Sequence, residues 1–122
     1  MKISSISVID DDPVNLLLLK ETLKDYFLVQ AYRDPFHFLD NLSRTETRLV
    51  ITDLMMPGMD GFALIRRIRQ LKPGLPIIII SAKDEPDTIR KAYQLGVEAY
   101  YRKPLNLTTF SDKLLDQINH NV

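Results

Sequence analysis

Short apolar runs alternate with longer segments of helical period along the whole chain. Five of these runs are rich in β-branched or aromatic residues and are predicted to form strands: Ile6 to Asp10, Leu28 to Tyr32, Leu49 to Asp53, Pro76 to Ser81 and Ala99 to Arg102. The fourth run contains four consecutive isoleucines, as expected of a strand that is buried on both faces. Such alternation is typical of repeated βα units and predicts an α/β domain with a parallel sheet.

Aspartate and proline mark where the first two helices begin. Asp12-Pro13 and Asp34-Pro35 each provide a carboxylate that can cap a helix, followed by a proline suited to the first helical turn. These helices are predicted to end near Asp25 and Arg44.

Glycine and proline likewise mark where later helices end. The third helix is predicted from about Gly61 to Lys72, before Pro73-Gly74. The fourth is predicted from about Glu85 to Leu95, with Gly96 in the position that follows a helix end. A fifth helix is predicted from an apolar stripe made of Leu107, Phe110, Leu114 and Ile118.

Composition limits the classes of function. A chain of 122 residues fits one domain, and its 16 basic and 16 acidic residues cancel, which disfavours binding to nucleic acid or to an anionic membrane. The absence of cysteine excludes disulfides and thiolate metal sites. No apolar stretch approaches the roughly 18 residues of a membrane helix, and the first residues do not resemble a signal peptide. We therefore expect a cytoplasmic protein.

Three carboxylates come at the ends of predicted strands. Asp10 ends the first strand, Asp11 follows it, and Asp53 ends the third. Because ligands of open parallel sheets bind beyond the carboxyl ends of the strands, these side chains are predicted to meet. Neighbouring carboxylates repel unless a hard cation neutralises them, and Mg²⁺ prefers oxygen ligands. Asp53 stands alone in its run and is the candidate nucleophile, since aspartate forms acyl phosphates.

Two further strand ends supply groups that can bind a phosphoryl group. Lys103 provides a cation and Ser81 a hydroxyl, each at the end of an apolar segment. A transferred phosphoryl group spreads negative charge over three oxygens, which such donors stabilise.

These motifs together resemble the receiver domain of two-component response regulators, in the CheY-like superfamily. The resemblance rests on Val8-Ile9-Asp10-Asp11-Asp12-Pro13, on Asp53 to Gly61, on Ser81-Ala82 and on Lys103-Pro104. It covers essentially the whole chain, as one receiver domain over residues 1–122. It implies a flavodoxin-like, doubly wound, five-stranded parallel sheet with strand order 2-1-3-4-5 and five helices.

The resemblance also implies roles for these residues. Asp53 would accept a phosphoryl group from the phosphohistidine of a sensor histidine kinase or phosphotransfer protein. Asp11 and Asp53 would ligate Mg²⁺ with the backbone carbonyl of Met55, and Asp10 would act largely through metal-bound water. The domain would catalyse only its own phosphorylation and dephosphorylation and is not expected to be an enzyme in any other sense.

Switching is implied in the same way. Ser81 and Lys103 would bind the phosphoryl oxygens, and Tyr100 would turn inward behind Ser81. The face formed by helix 4, strand 5 and helix 5 would then bind partners or form a homodimer, through residues that include Arg90, Lys91, Tyr93, Gln94, Tyr100 and Arg102. Tyr100 is also interpretable as a core residue with a tethered hydroxyl. Met55 and Lys83 are expected to flank the phosphate, Met55 by hindering water and Lys83 by attracting anionic donors.

Other interpretations remain open at this point. Asp12 is more consistent with a helix cap than with a metal ligand. The basic residues Arg66, Arg67, Arg69 and Lys72 are interpreted as a solvated helix face. A receiver-like module that binds partners without phosphorylation is one alternative function. A phosphatase of the haloacid dehalogenase type, with Asp10 as nucleophile, is another, since Asp10-Asp11-Asp12 also fits its Asp-x-Asp signature.

Overall fold

The structure is a computed structural model that describes residues 4–120, with side chains described as far as residue 117. Five strands alternate with five helices. The strands are β1 (Ser5–Ile9), β2 (Leu28–Tyr32), β3 (Leu49–Thr52), β4 (Ile77–Ser81) and β5 (Ala99–Arg102). The helices are α1 (Pro13–Leu23), α2 (Pro35–Leu42), α3 (Gly61–Leu71), α4 (Pro86–Gln94) and α5 (Leu107–His120). The predicted elements and their order are confirmed.

All strands lie in one parallel sheet of order β2-β1-β3-β4-β5, the flavodoxin-like order that the resemblance implied. The order reverses at β1, so β1 and β3 are neighbours and their carboxyl ends open on the same crevice. Ile9 pairs with Thr52 at the end of this ladder. Asp10 and Asp53 follow these two residues directly and therefore lie side by side.

Capping aspartates begin three of the helices. Asp12, Asp34 and Asp60 each accept a hydrogen bond from the backbone N–H two residues later, at 2.9, 2.9 and 2.8 Å respectively. This confirms that Asp12 caps α1. The helix ends differ slightly from the predictions: α1 ends at Leu23 and α2 at Leu42, two residues before the predicted Asp25 and Arg44. In each helix a turn follows the last buried leucine, and the two residues up to the predicted end are exposed.

Two hydrophobic cores lie on the two faces of the sheet. One lies under α2, α3 and α4, with Phe38, Leu64 and Ile68 among its members. The other lies under α1 and α5. Phe110 and Leu114 are buried there and Leu107 packs against them, as the predicted stripe requires. The side chain of Ile118 lies outside the described residues, as do residues 1–3 and 121–122, so the extent of the domain over 1–122 stays a prediction.

The basic residues of α3 form a solvated face only in part. Arg66 and Arg67 are exposed, as predicted. Arg69 and Lys72 are half-buried and donate hydrogen bonds to backbone carbonyls of distant loops, so the prediction is wrong for these two residues. Both lie at the C-terminal end of α3, within hydrogen-bond distance of carbonyls in neighbouring loops.

Within residues 4–120, no helix is long and apolar enough to cross a membrane.

Candidate functional site

The crevice between β1 and β3 contains three carboxylates. Asp10 and Asp53 are buried, with 3% and 7% of their surfaces exposed, and Asp11 is half-buried beside them. One oxygen of each carboxylate lies within 4.8 Å of the others, close enough for all three to hold one metal ion. Oxygen donors with room for water are the ligands that Mg²⁺ prefers. The carboxylates that the sequence predicted to meet do meet.

Lys103 enters the same crevice from the loop after β5. Its Nζ atom lies 2.7 Å from Oδ2 of Asp53 and 3.3 Å from Oδ2 of Asp10. The backbone N–H of Lys103 donates to the Ser81 carbonyl, which fixes the loop against β4. A cis peptide bond joins Lys103 to Pro104. Because its ammonium lies close to both Asp10 and Asp53, Lys103 neutralises part of their negative charge.

Asp53 is held by the loop that follows it. Its Oδ1 atom accepts hydrogen bonds from the backbone N–H groups of Leu54 and Met55, at 2.6 and 3.2 Å. The loop closes where the N–H of Gly61 donates to the Leu54 carbonyl at 2.9 Å. A side chain on Gly61 would bring its Cβ atom 2.5 Å from Cα of Leu54, so only glycine fits. From the sequence, backbone N–H groups after Asp53 are expected to act as donors to the phosphoryl group; in the structure two of them bind Asp53 itself.

Electrostatics oppose the ionised form of Asp10. Burial raises the pKa of Asp10, and the neighbouring charge of Asp53 adds to the rise; the N–H of Asp12 and the ammonium of Lys103 oppose it. For Lys103 burial alone would lower the pKa, but the hydrogen bond and charge of Asp53 together with Asp10 raise it. The ammonium form is thus stabilised between two carboxylates, while the carboxylate cluster carries uncompensated repulsion.

Ser81 and Tyr100 connect the site to the loop before α4. Ser81 is fully buried, and its Oγ atom accepts a hydrogen bond from the N–H of Lys83 at 3.2 Å. The hydroxyl of Tyr100 donates to the carbonyl of Lys83 at 2.7 Å. Burial raises the pKa of Tyr100, which favours the protonated hydroxyl that donates this bond. Tyr100 is half-buried and packs on one core, whereas Tyr101 packs on the other, as predicted for neighbours on a strand.

Met55 and Lys83 lie at the mouth of the site. Both line an open groove of about 780 Å³ between the loop after β3 and α4. Met55 is 55% exposed and Lys83 is exposed. Lys91 reaches over the ring of Phe62 at the other end of this groove, at 4.5 Å from the ring centroid.

A second, smaller pocket lies beside the carboxylate cluster and was not predicted from the sequence. It has a volume of about 220 Å³ and lies between α1 and the loop after β5. Leu18, Leu105 and Leu107 are among its apolar lining, and Asp10 and Lys103 also line it. The four consecutive leucines of α1 were the available signal, because one helix cannot bury all of them on one face.

Comparisons with known proteins agree with this geometry. Residues 6–115 match the model of the response regulator receiver domain family. The chain is 34% identical over 101 residues to the DNA-binding transcriptional regulator NtrC of Klebsiella pneumoniae, covering 82% of this chain and 22% of that protein. It is 35% identical over 119 residues to the sensor protein EvgS of Escherichia coli, covering 95% of this chain and 10% of that protein. The chain therefore spans only a small part of these relatives.

The fold of this chain also matches that of a solved structure. The signal receiver domain of an HD domain-containing protein from Pseudomonas fluorescens superimposes with a TM-score of 0.88 and 27% identity, covering 98% of this chain and 97% of that one. The chain belongs to the response regulator receiver domain family. It is a receiver of phosphorylation-based, two-component signalling, of the kind found in response regulators and in sensor kinases.

Proposed function

We propose that Asp53 accepts a phosphoryl group from the phosphohistidine of a sensor histidine kinase or phosphotransfer protein. A carboxylate oxygen of Asp53 attacks phosphorus, the P–N bond breaks, and the imidazole nitrogen leaves with the electron pair. The product is an acyl phosphate on Asp53. The observation that carries this proposal is the position of Lys103, whose ammonium lies 2.7 Å from Asp53 within a carboxylate cluster that can hold a metal.

The donor set of the cluster suits Mg²⁺. Asp11 and Asp53 would ligate it with the backbone carbonyl of Met55, and Asp10 would act largely through water on the metal. When bound, the ion supplies positive charge to the phosphoryl oxygens. Three close carboxylates with one lysine leave a net negative site, which supports the need for a divalent cation.

Lys103 and Ser81 would hold the phosphoryl group after transfer. Lys103 already reaches the acceptor oxygen, so a short movement of its ammonium brings it to a phosphoryl oxygen. Ser81 would donate its hydroxyl to another. Ser81 now accepts from the N–H of Lys83, so its reorientation would pull on the loop before α4.

Tyr100 would transmit this change to the surface. Its hydroxyl is bound to the same loop at the Lys83 carbonyl, which supports a coupled movement. The face of α4, β5 and α5 would then bind a partner or form a homodimer. Arg90, Tyr93, Gln94 and Arg102 are exposed and available for contact, whereas Lys91 lies over Phe62 on the α3 side of the helix. We propose no contact of this domain with nucleic acid or membrane, and we place it in the cytoplasm with its phosphodonor.

The phosphodonor protein would dock on the α1 side of the crevice. Val14, Leu17 and Leu18 are exposed there, at 62%, 57% and 48%. Leu18 also lines the apolar pocket to which Asp10 and Lys103 contribute. An exposed apolar helix face beside the acceptor site is typical of a surface that a partner covers.

Met55 and Lys83 would tune the phosphoryl lifetime. Met55 is exposed at the mouth of the site, where it would hinder an attacking water, and Lys83 would attract anionic donors. Neither alternative function is favoured by an observation of its own. A module that works without phosphorylation does not need the ammonium of Lys103 against Asp53. The family that matches residues 6–115 is that of receiver domains, which supports Asp53 rather than Asp10 as the acceptor.

Intact mass spectrometry tests the proposal. The protein is incubated with acetyl phosphate and Mg²⁺, and the mass is recorded for the parent, for Asp53→Asn and for Asp60→Asn. Asp60 is a matched control because it is an exposed cap residue outside the cluster. We expect one phosphate on the parent and on Asp60→Asn, none on Asp53→Asn, and none when Mg²⁺ is chelated. Equal phosphorylation of Asp53→Asn would overturn the proposal.

A further inference from the structure

The two ends of α4 are held in different ways. Every residue from Ala82 to Asp87 is exposed. Glu85 occupies the N-cap position of α4 but makes no hydrogen bond with its side chain there. Ala92 is the one buried residue of the helix. Few apolar contacts and an uncapped end make the N-terminal side of α4 the easier side to displace.

The C-terminal end of α4 is tied to α3 by Arg69. Nε of Arg69 donates to the Leu95 carbonyl at 3.2 Å, and Nη2 donates to the Gly96 carbonyl at 2.7 Å. Nη1 donates to the Leu75 carbonyl, in the loop before β4. One guanidinium therefore joins α3, the loop after α3 and the loop after α4.

The chemistry of this contact suits arginine alone. The guanidinium is planar and presents donors in several directions at once, whereas a lysine ammonium is a single point charge. Its positive charge also complements the negative end of the α4 dipole. Gly96 has a φ of 82°, which turns the chain at the end of α4 and sets it against the guanidinium, 3.6 Å from the position of a Cβ atom.

The other end of α4 is connected to the phosphorylation site. Ser81 and Tyr100 both bind the backbone of Lys83, three residues before the first residue of α4. A change at the site therefore acts on the end of α4 that is weakly held, while Arg69 holds the opposite end.

We infer that Arg69 is a positioning residue that fixes the C-terminal end of α4, so that phosphorylation displaces only the segment from residue 82 to residue 90. The inference rests on the proposed function, since it concerns the response to a phosphoryl group on Asp53. It implies that a partner distinguishes the two states through the N-terminal half of α4.

Hydrogen exchange detects this difference between the two halves of α4. Exchange is measured by mass spectrometry with and without Mg²⁺ and beryllofluoride, which takes the place of a phosphoryl group on a carboxylate. The samples are the parent, Arg69→Met, Arg69→Lys and the matched control Arg67→Met. Methionine keeps an apolar stem in place of the arginine stem, and Arg67 is an exposed arginine on the same helix.

In the parent we expect beryllofluoride to change exchange in residues 82–90 and to leave residues 93–98 unchanged. In Arg69→Met the exchange of residues 93–98 should rise about tenfold without ligand, and the effect of beryllofluoride should extend into this segment. Arg69→Lys should give an intermediate result, and Arg67→Met should behave as the parent.

Two results would overturn the inference and leave the proposed function intact. One is an equal change of hydrogen exchange in residues 82–90 and 93–98 of the parent when beryllofluoride is added. The other is an Arg69→Met variant whose exchange, with and without beryllofluoride, is the same as that of the parent. Intact mass after acetyl phosphate treatment separates these from failure of the proposed function. If Asp53 takes phosphate and either result appears, only the inference is wrong. If Asp53 takes no phosphate and beryllofluoride has no effect, the proposed function fails and the inference fails with it.

Discussion

At the scale of single residues, the buried carboxylate of Asp10 is expected to lower the stability of the fold at neutral pH. Its pKa is raised by burial and by Asp53, so protonation of Asp10 favours the folded state. This stabilising contribution of protonated Asp10 is fully present below pH 3.8, the ordinary pKa of the group. It is lost as the pH rises through the raised pKa of the folded state. At neutral pH Asp10 is therefore an ionised carboxylate that destabilises the fold.

Asp10→Asn is therefore expected to raise stability without Mg²⁺ at neutral pH. The asparagine oxygen can still accept from the N–H of Asp12, and Lys103 keeps Asp53 as its partner. We expect a gain of about 1 kcal/mol in the free energy of unfolding, or roughly 4 °C in melting temperature. Thermal unfolding with and without Mg²⁺ measures it. A variant less stable than the parent without Mg²⁺ would contradict the account.

Met55 is expected to slow the loss of phosphate from Asp53. Met55→Asn replaces an exposed apolar side chain at the mouth of the site with one that can orient water. We expect loss of phosphate from the variant to be several times to about ten times faster, less than the roughly hundredfold effect of a full general base. Mass spectrometry after removal of acetyl phosphate gives the rate. Equal or slower loss would show that Met55 does not hinder water.

At the scale of elements, the loop between β3 and α3 depends on Gly61. A Cβ atom there would lie 2.5 Å from the backbone of Leu54, and the loop beside it positions both N–H donors to Asp53. Gly61→Ala should lower the free energy of unfolding by about 1–3 kcal/mol through overpacking. Gly74→Ala is the matched control, since a Cβ atom there meets nothing within 4 Å. Denaturant unfolding of both variants tests this, and equal stability would contradict the close approach.

The strands and the first three helix starts could be predicted because their signals are local. An apolar run or an aspartate before proline acts within a few residues, and Asp12 and Asp34 do cap their helices. The role of Arg69 could not be predicted in this way. Its acceptors at Leu95 and Gly96 lie 26 and 27 residues away, and every residue has a carbonyl, so no side-chain pattern marks them.

At the scale of the whole molecule, the carboxylate cluster could be predicted because the topology brings the ends of β1 and β3 together. The sheet order itself came from resemblance, since periodicity does not fix which strands are neighbours. The pocket beside α1 was missed for the same reason, because it is formed by segments distant in sequence, such as Leu18 and Leu105.

A ligand bound at the carboxylate cluster is expected to stabilise the whole fold. Mg²⁺ with beryllofluoride at one hundred times its dissociation constant should raise the free energy of unfolding by about 2.7 kcal/mol. The effect should disappear in Asp53→Asn, which lacks the carboxylate that beryllofluoride needs. Thermal unfolding measures both proteins, and equal stabilisation of parent and variant would place the ligand elsewhere.

Borohydride trapping directly identifies the residue that carries the phosphate. The protein is treated with acetyl phosphate and Mg²⁺, and sodium borohydride then reduces the acyl phosphate, which converts the modified aspartate to homoserine. Peptide mass spectrometry locates that homoserine. We expect homoserine at position 53 and unmodified aspartate at positions 10 and 11. Homoserine at position 10 would contradict the assignment of Asp53 and favour a phosphatase-like nucleophile at Asp10. An absence of homoserine at positions 10, 11 and 53 would contradict phosphorylation in this crevice.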